Sequence, residues 1–225
     1  MGMAERLQDR LDAMTERTRA LVQPERLLPG ERAVEELFAS GIEGRLLPVG
    51  ERAPEFTLRD YTGKVVRSAD LLALGPVVLD FFRGRWCPYC VGELEAWGEL
   101  YGLLRRRGAL LVGIAPQTVR HNEFTADQHK LSFPLLADPG LHVAESFGLV
   151  YQVPGYHQQY LRSILVNVPH MNGDASWRLP VPATYVLAPD GTVLYARGYA
   201  DWRVRPEPEE ALAALDTFLN AAGPV

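Results

Sequence analysis

Cysteine is scarce in this chain: only two occur among 225 residues, Cys87 and Cys90, and both lie in the segment WCPYC. Two cysteines cannot form the disulfide framework of a small secreted scaffold. They are also too few for a structural zinc site, which needs about four ligands. The histidines supply no closely spaced pair to complete such a set, since they lie at His121, His129, His142, His157 and His170. We therefore predict no metal, which leaves a redox couple, a pair of inert buried thiols or a structural disulfide.

The chain also lacks an excess of positive charge and any long apolar segment. Its net charge is −5, whereas a nucleic-acid partner requires a basic surface. No apolar run approaches the roughly 18 residues that span a bilayer. The opening residues, MGMAERLQDRLDAM, are charged throughout and are not typical of a secretory signal. We predict a cytoplasmic protein with no nucleic-acid or membrane partner, in which a disulfide would be transient and catalytic.

The hydrophobic pattern predicts an α/β fold with three layers and a mixed central sheet. Continuous apolar runs at 76–82 and 109–115 indicate strands buried on both faces. A long helical pattern at 88–107 lies between them, and the pattern at 183–197 predicts a hairpin with a Pro-Asp-Gly turn. The segment 151–182 shows no periodicity and is predicted to be irregular.

We divide the chain into an N-terminal helical extension, 1–47, and a main domain, 48–225. The extension carries two amphipathic patterns, at about 7–22 and 31–40. We expect these helices to pack on the main domain or on a partner subunit, as in a homodimer, and to carry no chemistry.

The cysteine pair is predicted to lie at the start of the long helix, directly after the buried strand. Backbone N–H groups and the helix dipole stabilise a thiolate at that place and lower its pKa. Cys87 is then the nucleophile. Cys90 lies one helical turn further on, where it can attack an intermediate on Cys87 and form an intramolecular disulfide.

The segments GERAPEFTLRDYTGKVV, GPVVLDFFRGRWCPYC, LVGIAPQT and PATYVLAPDGTV together resemble the thioredoxin-like superfamily. They are most similar to the peroxiredoxin-like branch of the alkyl hydroperoxide reductase/thiol-specific antioxidant family. The resemblance implies a thioredoxin fold with Cys87 as nucleophile and Cys90 as its partner. It also implies that Pro182 is the cis-proline facing the cysteine pair, with the Val181 backbone beside Cys87 to align a substrate.

The sequence departs from a typical peroxiredoxin around the nucleophile. Asp80, Gly84 and Pro182 stand where that family has a Pro, a Thr or Ser, and an Arg. Arg83 or Arg85 would then have to stabilise the thiolate and polarise a peroxide oxygen. Solvated loop arginines are the alternative.

Four further residues are candidates for the site. Trp86 matches the aromatic residue that thioredoxins expose to a partner protein, or it packs half-buried. Asp80 ends the strand behind the site and is a candidate proton relay for Cys90. Asn172 and Trp177 lie in a turn-rich stretch before Pro182 and are candidates for substrate contact, with loop packing as the alternative.

The predicted function is that of a thiol-dependent oxidoreductase without a cofactor beyond its own dithiol. Its substrate would be a hydroperoxide or a disulfide, and thioredoxin or a low-molecular-weight thiol would restore it. Hydroperoxide reduction is the main prediction. A disulfide reductase with little peroxidase activity and a non-catalytic redox-sensing or binding module are the alternatives.

Overall fold

The computed structural model describes residues 5–222 of the chain. The helices are α1 Leu7–Leu21, α2 Pro24–Ala39, α3 Ser68–Leu72, α4 Pro88–Arg106, α5 Val119–His129, α6 His142–Ser146, α7 Gly155–Ser163, α8 Val168–Asn172 and α9 Pro208–Ala222, with a 3₁₀ turn at Ile42–Arg45. The strands are β1 Thr57–Asp60, β2 Val65–Arg67, β3 Val77–Phe81, β4 Leu110–Ala115, β5 Leu135–Ala137, β6 Val150–Gln152, β7 Arg178–Pro180, β8 Ala183–Leu187 and β9 Val193–Gly198. No helix within 5–222 is both long enough and apolar enough to cross a bilayer.

A mixed sheet forms the centre of the fold, with strand order β2-β1-β5-β4-β3-β8-β9. The strands β3, β4 and β5 are parallel, and β8 joins β3 in the antiparallel direction. Every residue of β3 is buried, which explains why the run at 76–82 is continuously apolar apart from Asp80. The predicted central strands, the hairpin β8–β9 and the long helix α4 are confirmed.

Helices cover both faces of this sheet. Val78 and Phe82 of the β3 segment face a core shared with α4 and α9, where Leu94, Trp97 and Leu215 are buried. Leu79 and Phe81 point the other way, because successive side chains of a strand alternate between faces. The predicted three-layer α/β architecture is therefore confirmed.

The segment 151–182 is more ordered than the sequence pattern suggested. It contains β6, β7, α7 and α8, and β6 pairs with β7 in a separate two-stranded sheet. Short elements of this kind carry too few residues for a visible period. The prediction of an irregular segment was wrong.

The N-terminal helices pack directly on the main domain. Leu7 and Leu11 of α1 are buried against Ala96 of α4. The second helix begins at Pro24, earlier than the predicted start at Glu31, because a proline is well suited to the first helical turn.

A carboxylate from the main domain fixes the start of α1. The backbone N–H groups of Leu7 and Gln8 donate to the two oxygens of Glu207, at 2.9 and 3.0 Å. Helix N-termini leave such N–H groups without partners within the helix, and a negative charge there is also favoured by the dipole. Glu207 therefore anchors the N-terminal extension to the loop before α9.

We expect Glu207→Ala to lower the free energy of unfolding by about 1–2 kcal/mol, the usual effect of losing a helix cap. Urea denaturation followed by circular dichroism measures this change. Glu35→Ala, at an exposed position of α2, is the matched control and should alter stability by only a few tenths of a kcal/mol. Equal effects of the two substitutions would show that Glu207 does not hold α1.

Candidate active site

The turn from β3 to α4 places the cysteine pair. Gly84 lies in this turn at φ 142°, a conformation that favours glycine, and a Cβ there would lie 2.7 Å from the indole nitrogen of Trp86. The Cys87 N–H then donates to the Gly84 carbonyl at 3.0 Å. Cys87 is the N-cap of α4, and Pro88 occupies the first helical position. The predicted position of the pair at the start of the helix is confirmed.

Both thiols are free and buried, with Cys87 2% exposed and Cys90 fully enclosed. Burial opposes ionisation of the Cys87 thiol. A hydrogen bond from Cys90 and the positive charges of Arg83 and Arg205 outweigh burial and lower the pKa of this thiol to about 5. Burial and the hydrogen bond to Cys87 raise the pKa of the Cys90 thiol well above its ordinary value. Cys87 is the thiolate at neutral pH, and Cys90 holds the proton.

Arg83 is the cation that faces the nucleophile. Its side chain is 2% exposed and lies between two indoles, 4.7 Å from the ring centroid of Trp86 and 4.2 Å from that of Trp202. Its Nε and Nη2 atoms find no acceptor among residues 5–222. A buried guanidinium with unused donors is suited to bind an oxygen of a substrate.

A second arginine, Arg205, was missed by the sequence analysis, as was Glu93. Arg205 comes from the loop before α9, and its Nε lies 2.6 Å from Glu93 Oε2. Its Nη2 donates to Cys90 Sγ at 3.2 Å. Glu93 is three residues after Cys90 on α4, a helical spacing that could have indicated it. Arg205 has no such signal, because it lies 115 residues from Cys90.

Asp80 lies in the same buried cluster. Burial, and then the negative charge of Glu93, raise the pKa of Asp80 well above its ordinary value, and the charge of Arg205 opposes this effect. Neither carboxylate oxygen of Asp80 has a hydrogen-bond partner among the described residues. The structure thus places Asp80 near Glu93 and Arg205, and its role as a proton relay stays a prediction.

A cavity of about 260 Å³ opens onto Cys87. Its wall includes the aromatic side chains Trp86, Tyr89, Tyr160 and Trp202 together with several aliphatic ones. The N-terminal helices contribute Thr18, Leu27, Gly30 and Glu31 to the same cavity. The expectation that the extension carries no chemistry was therefore incomplete, because the extension forms one wall of the site.

His157 is a further lining residue that the sequence left without a role. Its ring stacks on Trp202 with centroids 5.4 Å apart. Burial, with a smaller contribution from the Arg83 charge, lowers the pKa of His157 to about 4. The imidazole is neutral at physiological pH and adds no second positive charge to the cavity.

The predicted cis-proline is wrong. All peptide bonds in the described part of the chain are trans, including the one before Pro182. The Val181 N–H donates to the Leu149 carbonyl at 2.8 Å, and the Val181 side chain packs against Leu37 and Ile42. The backbone N–H is thus used in a bond to the residue before β6, and only the side chain contacts the extension, so Val181 does not present a free N–H to a substrate.

Asn172 and Trp177 do not line the cavity at Cys87. Trp177 is buried in a cluster with Val153 and Leu161, and Asn172 is 3% exposed at the end of α8. Trp86 is half-buried, stacks on Arg83 and lines the cavity. Substrate roles for these residues stay predictions, and Trp86 has the most direct access to the site.

Within residues 5–222, no group of three or more histidine, cysteine or acidic side chains is arranged to hold a metal ion. A buried dithiol at the N-terminus of a helix that follows a central strand is the arrangement of thioredoxin-fold thiol proteins.

Comparison with known proteins also leads to thioredoxin-fold thiol proteins. A model of the AhpC/TSA family matches residues 49–196. Chloroplastic peroxiredoxin Q of Arabidopsis thaliana is 30% identical over 175 residues, which cover 77% of this chain and 67% of the relative. The thiol-disulfide oxidoreductase ResA of Halalkalibacterium halodurans is 32% identical over 108 residues, or 46% of this chain and 58% of that protein. The crystal structure of peroxidoxin BcpB from Mycobacterium tuberculosis superposes with a TM-score of 0.60 at 26% identity, covering 76% of this chain and 97% of that one.

The chain therefore belongs to the AhpC/TSA family and has the thioredoxin fold.

We expect Arg83→Met to raise the pKa of Cys87 from about 5 toward its ordinary value near 8.5, because a positive charge beside the thiolate is lost. The rate of Cys87 alkylation by iodoacetamide as a function of pH measures this pKa, since only the thiolate reacts. In the wild type the rate should rise through pH 5 and be level at pH 7. In the variant it should still be rising at pH 7.

Arg85→Met is the matched control, since the Arg85 guanidinium lies 4.4 Å from the centroid of the Phe124 ring and is not among the main causes of the lowered pKa of Cys87. It should leave the alkylation profile unchanged. A larger shift in Arg85→Met than in Arg83→Met would reverse the assignment of the two arginines.

Proposed function

We propose that this protein reduces hydroperoxides, with Cys87 as the attacking thiolate and Cys90 as the resolving thiol. The observation that carries the proposal is the buried Cys87 thiolate, which lies at a small aromatic cavity beside the unused donors of Arg83. A thiolate, a cation for the developing negative charge and a site with restricted solvent are what the reaction needs.

The first step forms a bond between Cys87 Sγ and the terminal peroxide oxygen while the O–O bond breaks. The leaving alkoxide takes a proton and departs as an alcohol, and Cys87 becomes a sulfenic acid. Cys90 then attacks the Cys87 sulfur, an S–S bond forms and hydroxide leaves as water. Two electrons from an external thiol restore both cysteines. Thioredoxin or a low-molecular-weight thiol is our proposed donor.

Burial favours a small substrate over a protein disulfide. Cys87 is 2% exposed, and access to it is through a cavity of about 260 Å³. A hydroperoxide group can enter such a space. A disulfide on the surface of a folded protein would have to displace Trp86 or the N-terminal helices first. The likeness to peroxiredoxin Q also supports this substrate class.

A thiol-disulfide reductase is the second candidate, supported by the CxxC spacing and the partial likeness to ResA. If the protein is a disulfide reductase, its substrate is more readily a small disulfide than a protein disulfide, because only a small molecule can enter the cavity at Cys87. The cytoplasmic location, the homodimer and the redox-sensing alternative stay predictions.

We expect Cys87→Ser to abolish peroxide turnover, because a serine hydroxyl is not ionised at neutral pH and cannot attack the O–O bond. Cys90→Ser should still consume about one equivalent of peroxide per chain and then stop, with a sulfenic acid on Cys87. Peroxide consumption with a thioredoxin system or a small thiol as reductant measures the first effect. The second is measured on the reduced variant with no added thiol, because an external thiol would react with the sulfenic acid and restart turnover.

Full turnover by Cys87→Ser would exclude the proposed nucleophile. A wild type that reduces a small disulfide but consumes no peroxide would instead favour the second candidate.

A further inference from the structure

The resolving thiol lies in a setting that works against its own chemistry. Cys90 is fully enclosed, and burial together with the nearby Cys87 thiolate raises its pKa well above the ordinary value. Disulfide formation requires Cys90 as a thiolate, however, because the thiol form is a poor nucleophile. The effect of the Cys87 thiolate ends when Cys87 is oxidised, but burial still opposes ionisation of Cys90. Some group must therefore favour ionisation at the moment of attack.

Arg205 is the charged side chain that contacts the Cys90 sulfur. Its Nη2 donates to Cys90 Sγ at 3.2 Å, and the other donor to this sulfur within residues 5–222 is the neutral backbone N–H of Arg83 at 3.5 Å. Arg205, backbone and side chain together, is 4% exposed. A guanidinium in this position stabilises a thiolate far more strongly than it would at the surface, because solvent screening is weak.

Two carboxyl groups surround this arginine. Glu93 pairs with its Nε at 2.6 Å, and both side chains are 1% exposed. Asp80 is close enough for its charge to act on Glu93 and Arg205. Burial raises the pKa of Glu93 to about 7, although Arg205 opposes that rise. Two carboxyl groups facing one cation can hold and release a proton near neutral pH.

The backbone around Arg205 is held by α1. The Arg205 N–H donates to the Gln8 side-chain oxygen at 2.9 Å, and the Gln8 amide nitrogen donates to the Arg203 carbonyl at 3.3 Å. Glu207 binds the first N–H groups of α1 on the other side of Arg205. The N-terminal helix therefore fixes the loop on both sides of the arginine.

We propose that Arg205 is the catalytic cation of the resolving step, that Glu93 receives the Cys90 proton, and that Gln8 of α1 is a positioning residue for Arg205. This inference rests on the proposed function, since it assumes that Cys90 resolves an oxidised Cys87. The Cys90 thiol gives its proton to the Glu93 carboxylate, and its electron pair forms the bond to Cys87 Sγ. The S–O bond of the sulfenic acid breaks, and the hydroxide takes up the proton from Glu93 and leaves as water.

Single-turnover mixing of the reduced full chain with one equivalent of hydrogen peroxide separates the two steps. Mass spectrometry of acid-quenched samples then gives the amounts of Cys87 sulfenic acid and of disulfide over time. In Arg205→Met we expect disulfide formation to slow about 10–100-fold, the effect of losing one charge-assisted hydrogen bond. The first oxidation should slow much less, because the Cys90 hydrogen bond and Arg83 still lower the pKa of Cys87 when Arg205 is gone. The sulfenic acid should therefore accumulate.

Three further variants test the separate parts of the proposal. Arg205→Lys keeps the charge and should restore most of the rate. Gln8→Ala leaves the buried cluster intact and should slow the same step by a smaller factor. Glu93→Gln removes the proton acceptor and should also slow disulfide formation more than the first oxidation. Arg107→Met, which breaks the half-exposed pair of Arg107 with Asp216 far from the thiols, is the control and should leave both steps unchanged.

The pH dependence of disulfide formation distinguishes a chemical role from a structural one. Cys87, Arg205 and Arg83 act directly on the charge of Cys90, and Glu93 and Asp80 act on Arg205. With Arg205 removed, the pH of half-maximal rate should move upward, because Cys90 must ionise without its cation. A merely loosened structure would lower the rate at every pH by the same factor.

Equal slowing of both steps, an unchanged pH profile or no rescue by Arg205→Lys would overturn the proposal. If Arg205→Met fails to fold, the rates of Arg205→Lys and Gln8→Ala decide the question.

If peroxide does not oxidise Cys87 in the wild type, the proposed function fails on its own. The Arg205 variants are then compared for the attack of Cys90 on a mixed disulfide formed by Cys87 with a small disulfide, where the same fold-change is expected.

Discussion

The site depends on positive charge held inside the protein next to two buried sulfur atoms. A thiolate removed from water is costly unless a cation or hydrogen-bond donors replace the lost solvation. Arg83 and Arg205 provide that charge, each from a different part of the chain, and the start of α4 adds its backbone N–H groups. Each buried arginine requires its own support in turn. Arg83 is held between two indoles, and Arg205 is held by Glu93.

Buried ion pairs of this kind contribute little net stability, because desolvation of both partners offsets their attraction. The cluster of Arg205, Glu93 and Asp80 is therefore better explained by chemistry than by folding. The loop before α9, the start of α1 and the first part of α4 all meet at this cluster, so the N-terminal extension is part of the site rather than an addition to it.

Much of the fold was predictable because its signals are local. Continuous apolar runs indicated β3 and β4, and the Pro-Asp-Gly turn indicated the hairpin β8–β9. The position of Cys87 at a helix start followed from a strand, two cysteines and a proline within a few residues of each other. The two buried carboxyl groups beside Arg205 could be partly predicted in the same way, since Glu93 follows Cys90 at helical spacing and Asp80 interrupts an apolar strand.

The remaining parts depended on contacts between distant residues. Arg205 reaches Cys90 across 115 residues, and its sequence context, a charged loop, is that of an ordinary solvated arginine. The helices of the extension were visible, but the cavity they help to close was not. The resemblance to a known family misled at Pro182, where a hydrogen bond from Val181 to Leu149 directs the backbone away from a substrate. A prediction based on a local motif of a known family is therefore more reliable than one that depends on contacts between distant parts of the chain.

The central claim is that the buried charges adapt Cys87 to a small peroxide. The most direct measurement is the second-order rate of Cys87 oxidation by hydrogen peroxide, compared with its rate against a small disulfide in the same reduced protein at neutral pH. The account predicts that peroxide reacts faster. A faster reaction with the disulfide, together with slow or absent oxidation by peroxide, would contradict it.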